Sequence, residues 1–146
     1  MNTAATLRSY RTIATQTASP GHLVLMLFDG AIRFLENALS GFKQPDPLEF
    51  NLTINNNVLR AQDILNELNN SLDLNRGGDL ALTLRRLYDY MNRQLTASNM
   101  QKTPEGIHDT INRLSVLRDA WSQMLQQQQA AASPVNQPFC GLEAVS

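Results

Sequence analysis

The stretch DPLEFNLTINNNVLRAQDILNELNNSL, Asp46 to Leu72, sets the fold class. Phe50, Ile54, Val58, Ala61, Leu65, Leu68 and Leu72 follow one another at steps of four, four, three, four, three and four residues. At about 100° per residue such steps keep one stripe of a helix apolar. The opening residues supply the helix start. The Asp46 carboxylate can accept from free N–H groups of the first turn, Pro47 has no N–H to lose, and Glu49 stands where a capping box needs an acid.

The same punctuation recurs at Ser19-Pro20 and Thr103-Pro104. A further boundary falls in Asp73-Leu74-Asn75-Arg76-Gly77-Gly78-Asp79, where adjacent glycines permit a chain reversal. Between these marks the helical spacing continues: Val24, Phe28, Ala31, Leu35, Ala38, Leu39 and Phe42 before it; Leu80, Leu84, Leu87, Tyr88, Met91 and Leu95, then Ile107, Ile111, Leu114, Leu117, Trp121 and Leu125 after it. No stretch alternates with a period of two for long enough to argue a sheet.

The expectation is an all-α protein, an antiparallel up-and-down four-helix bundle with helices near 20–42, 47–72, 79–101 and 104–128. Short connections force neighbouring helices to run in opposite directions. Residues 1–128 read as a single helical domain that includes a mobile N-terminal segment, 1–18, carrying Leu7, Tyr10 and Ile13. Residues 129–146 read as a flexible, disordered tail, since the apolar pattern is lost from Gln126 onward.

Composition narrows the function. The 146 residues are 42% apolar and 17% charged with a net charge of −1, the balance of a globular protein and not of a basic nucleic-acid binder. The twelve basic residues are spread among acidic ones, so no electrostatic stripe for nucleic acid forms. Membrane insertion is not expected, because no apolar run approaches the roughly 18 residues of a span. The N-terminus lacks a signal-peptide core, and Cys140 is the one cysteine, both of which point to a cytoplasmic home without disulfides or a cysteine metal cluster.

Catalytic chemistry finds no footing. Glu-x-x-His pairs, nucleophile elbows, phosphate loops and His-Glu-x-x-His are missing, so no enzyme, metal or cofactor is expected. His22 and His108 fall in first helical turns and read as solvated end residues. A histidine phosphotransfer bundle needs an exposed mid-helix histidine among small and basic residues, whereas His108 is followed by Asp109.

Apolar residues outside the core stripes carry the functional signal. Leu48, Leu52 and Leu59 gather on the back of the second helix alongside Asn55, Asp63 and Asn66. Leu82 and Met100 lie outward on the third, and Leu23, Met26, Leu27 and Phe34 widen the apolar surface of the first. Aligned exposed leucines mark a partner surface, which the N-terminal segment or a helix from another protein would cover. The partner-contact residues expected are Tyr10, Ile13, Leu23, Leu48, Leu52 and Leu59.

The ordered residues also resemble a known family. Tyr10, Thr17-Ala18-Ser19-Pro20, Leu25-Met26-Leu27-Phe28-Asp29-Gly30-Ala31-Ile32, Leu72-Asp73, Gly77-Gly78-Asp79-Leu80-Ala81, Leu84, Leu87-Tyr88-Asp89-Tyr90, Asn99 and Leu117-Arg118-Asp119-Ala120-Trp121 together resemble the FliS family of flagellar export chaperones. The chain departs from that pattern at Phe28, where tyrosine is common, at Ser98, and at Lys102-Thr103-Pro104.

The resemblance implies a cytoplasmic, non-enzymatic bundle that binds the C-terminal helical region of flagellin and prevents its premature polymerisation. It also implies delivery of that subunit to the export gate, with a gate component as a further partner. A generic adaptor bundle for another amphipathic helix is the alternative, and the free chain is left as a monomer or a weak dimer. Asp29-Gly30 is expected to serve helix packing and a polar contact.

Overall fold

The computed structural model describes residues 19–132, and Tyr10, Ile13 and the tail from Ser133 lie outside them. Four helices follow in order: α1 Pro20–Gly41, α2 Pro47–Asn70, α3 Leu74–Gln101 and α4 Glu105–Ala132. Each packs against two neighbours, α1 against α2 and α4, and α3 against α2 and α4. The pairs α1/α3 and α2/α4 occupy the diagonals. Paired contacts run in opposite chain directions along every seam: Phe34 with Arg60 and Gly41 with Thr53 between α1 and α2, Gly21 with Trp121 and Asp29 with Arg118 between α1 and α4, Asn55 with Asn99 and Asn69 with Asp89 between α2 and α3, and Tyr90 with Arg113 and Ser98 with Gly106 between α3 and α4, so all four are antiparallel.

The helix starts follow the local chemistry. The Ser19 hydroxyl accepts from His22 N and the Asp46 carboxylate from Glu49 N at 3.0 Å, each just ahead of a proline. The third boundary differs from expectation. Asp73, not the glycine pair, is the N-cap, with Oδ1 accepting from Asn75 N and Arg76 N at 3.1 Å, so α3 starts before Gly77 and breaks at Gly78. Gly78 sits at φ 55°, ψ −134°, a conformation that a Cβ resists. At the other end α4 runs past residue 128 to Ala132, because the glutamines and alanines there are good helix formers even without an apolar stripe.

The core is formed by Leu27, Phe28, Ala31, Leu35 and Ala38 of α1, Ile54, Val58, Ala61, Ile64, Leu65 and Leu68 of α2, Tyr88, Met91 and Leu95 of α3, and Ile107 and Leu114 of α4. Two expectations are overturned. Leu27 is buried at 3% exposure and belongs to the core, because the broad α1 face meets α2 and α4 together. Leu80, expected in the core stripe, is 69% exposed, since it lies just past the Gly78 break at the end of the bundle. Burial pushes the Tyr88 phenol up to about 12.

The α1/α4 seam carries specific polar contacts. Arg118 Nε donates to Asp29 Oδ1 at 2.7 Å and Trp121 Nε1 to the Gly21 carbonyl at 2.8 Å. The expected packing role of Asp29-Gly30 is met: Gly30 is buried and Asp29 reaches across the seam.

Candidate functional site

On α2 the residues 48, 52, 55, 59, 62, 66 and 69 alternate steps of four and three, forming a second stripe beside the core one. Its amides turn to α3. Asn99 Nδ2 donates to Asn55 Oδ1 at 2.9 Å, Gln62 Nε2 to Thr96 Oγ1 at 2.9 Å and to the Asn92 carbonyl at 3.2 Å, and Asn92 Nδ2 to Asn66 Oδ1 at 3.1 Å. Asn69 closes the row, with Nδ2 donating to Asp89 and Oδ1 accepting from Arg85 Nε. A seam of side-chain amides thus joins α2 to α3 along its outer edge.

The leucines of the same stripe find no such cover. Leu48 is 62% exposed, Leu52 44% and Leu59 45%. Across the seam, Met100 is also exposed, and with Asn92, Arg93, Thr96 and Ala97 it lines a shallow hollow of about 360 Å³ on α3. The acceptor Asn92 Oδ1 is buried and has no hydrogen-bond partner. Burial raises the pKa of Asp63, on the outward side of α2, and lowers that of Lys102, whose Nζ donates to Asn99 O at 2.7 Å. The face therefore combines apolar ridges, a floor of neutral polar groups and charges of both signs, Arg85, Arg93 and Lys102 with Asp63 and Asp89, which suits an amphipathic helix better than a polyanion.

The other expected contact residues are distributed differently. Leu23 is half-buried and packs against the core from α1, away from the α2–α3 seam, and Phe34 does likewise under the Arg60 guanidinium. The structure gathers Leu48, Leu52 and Leu59 on one face and leaves Leu23 apart from them. Leu82 is exposed, as expected of an outward residue. His108 is exposed on α4, whereas His22 is half-buried with Nδ1 at 2.9 Å from the Ser19 hydroxyl.

Among the described residues, no group of three or more His, Cys, Asp or Glu is placed to hold a metal ion, and no helix is long and apolar enough to cross a membrane.

A family model described as "Flagellar protein FliS" matches residues 2–128. The chain belongs to the FliS family. It is 32% identical over 118 residues to the flagellar secretion chaperone FliS of Bacillus subtilis, covering 81% of this chain and 84% of that protein. Its identity to the FliS of Salmonella typhimurium is 33% over 129 residues, covering 85% and 93%, and to that of Vibrio cholerae 31% over 123 residues, covering 81% and 87%. This FliS-family chain thus shares nearly the full extent of its relatives, and the α2–α3 face lies inside the matched region.

Proposed function

We propose that the chain is a cytoplasmic flagellar secretion chaperone that holds the C-terminal helical segment of flagellin and presents it to the export gate. The relatives' role as flagellar secretion chaperones supports the class of activity. The row Leu48, Leu52 and Leu59, exposed beside the amide seam, is the observation that carries the docking surface.

The mechanism is reversible masking. A flagellin terminal segment that becomes helical must bury its apolar stripe somewhere, and ordering it costs conformational entropy wherever it docks. The leucine row supplies apolar contact before the filament does, while the Asn and Gln side chains keep the face wettable when it is empty. Release follows when the client finds a site with more apolar contact. No bond is made or broken, so the activity is binding and not catalysis.

Mixing the full chain with a peptide from the C-terminal helical region of flagellin tests this reading. A complex of defined stoichiometry by gel filtration and calorimetry is expected. Absence of binding, or equal binding of unrelated amphipathic helices, overturns it in favour of no client or a generic adaptor.

A further inference from the structure

Arg93, Thr96, Ala97 and Met100, which line the hollow on α3 together with Asn92, stand at positions i, i+3, i+4 and i+7. Four residues at that spacing frame the hole into which a packed helix inserts one side chain, the arrangement that repeats along coiled coils. Here the hole opens outward. All four residues are exposed, Met100 at 80%, while Tyr88, Met91 and Leu95 on the opposite side of α3 face the core. Ala97 forms a low floor between two long side chains, Arg93 one turn before it and Met100 one turn after. Sites for free small molecules are clefts that enclose most of their ligand, whereas this hollow of about 360 Å³ lies on the surface of a single helix. The α2 leucines meet it from across the seam. Leu59 lies between Asn55 and Gln62, and Ala97 lies between their respective partners Asn99 and Thr96, so the two stand at one height on either flank. One helix laid over the seam touches both.

Charge narrows the occupant. Arg93 forms no ion pair among the described residues. Asp89, one turn before it, accepts from Asn69, and Asp63 lies across the seam on α2. The guanidinium at the rim of the hole is therefore available to an incoming carboxylate. We propose that the hole is the specificity subsite of the docking face: it takes one leucine-sized side chain of the client helix, while Arg93 pairs with a carboxylate one turn along that same helix. This rests on the reading of the α2–α3 face as a client-helix site and adds which helices it selects. An apolar anchor with an acid three or four residues away is a narrower signature than amphipathicity, and it separates a client from an unrelated amphipathic helix.

Two substitutions in the full chain test the subsite, read by calorimetry with the peptide from the C-terminal helical region of flagellin. Ala97→Leu fills the hole at an exposed position with a good helix former, so circular dichroism should be unchanged. Its Kd should rise about tenfold or more, the loss of one buried leucine-sized side chain. Arg93→Glu should raise Kd about fivefold in dilute buffer and less than about twofold near 1 M salt, since an exposed pair contributes little and is screened. Peptides in which each acidic residue is changed in turn to lysine identify the partner, and one of them should bind the Arg93→Glu chain more tightly than the original peptide does. Binding by Ala97→Leu within about twofold of the parent chain, or tighter, would overturn the subsite. A loss on Arg93→Glu that is equal at both salt concentrations and recovered by none of the lysine peptides would overturn the carboxylate pairing. A parent chain that binds no flagellin peptide overturns the chaperone reading as well, whereas a parent chain that binds and is indifferent to both substitutions overturns the subsite alone.

Discussion

Replacing Leu52 and Leu59 together by aspartate separates the docking face from the fold. The two side chains are 44% and 45% exposed, so between them a little less than one whole leucine is still open to water. Full burial of a leucine contributes about 1.5–3 kcal/mol, which makes covering this remainder worth roughly 1.3–2.7 kcal/mol. In binding terms that is a factor of roughly 10–100 in Kd. Desolvating two carboxylates adds to the loss, so the factor is a lower bound. Each substitution removes the covered half or so of a leucine, roughly 0.8–1.7 kcal/mol, and about 0.5 kcal/mol of helix propensity, and a domain with about 5–15 kcal/mol of stability should remain folded after both. Calorimetry with the flagellin C-terminal peptide, alongside circular dichroism, measures both quantities. A doubly substituted chain of unchanged helicity that binds within about threefold of the parent would refute the assignment of this face.

Three further outcomes follow from the fold. Leu35→Ala, at a fully buried position on α1, should cost about 2–5 kcal/mol in denaturant unfolding. Gly78→Ala should cost about 1–3 kcal/mol by the same measurement although a Cβ there meets nothing within 4 Å, because the strain is in the backbone at φ 55°. Tyr88 loses its proton more readily in the unfolded chain, near pH 10, than in the folded one, where burial lifts its pKa to about 12. The native state therefore binds more protons across that interval, and stability should be full below pH 10 and fall by about 2–3 kcal/mol as pH rises through 12. Tyr88→Phe should remove this component of the alkaline pH dependence.

Bundle topology was legible because it rests on local signals. Ser19-Pro20 and Asp46-Pro47 start α1 and α2 through side-chain capping that needs no tertiary contact, and the stripe from Ile54 to Leu68 has one possible use. What required three dimensions was harder to read. Leu27 and Leu80 exchange their expected environments because burial depends on where the bundle ends and how many neighbours a helix meets, neither of which periodicity encodes. Asp73 was overshadowed by the glycine pair, although its carboxylate offers the same cap as Asp46. At the site, the outward leucines could be placed from helical angle alone. Asn55 and Asn66 read as part of that outward face, and only α3 lying alongside makes them, together with Gln62 and Asn69, into joints.

That seam has a consequence for how binding should respond to salt. Asn55 with Asn99, Gln62 with Thr96 and Asn66 with Asn92 are held by neutral dipoles, which added ions screen far less than they screen a surface ion pair. The spacing of the α2 and α3 ridges should therefore be the same in dilute buffer and near 1 M salt. Any ionic-strength dependence of client affinity would then report charges meeting across the interface, and not a platform that has changed shape beneath them.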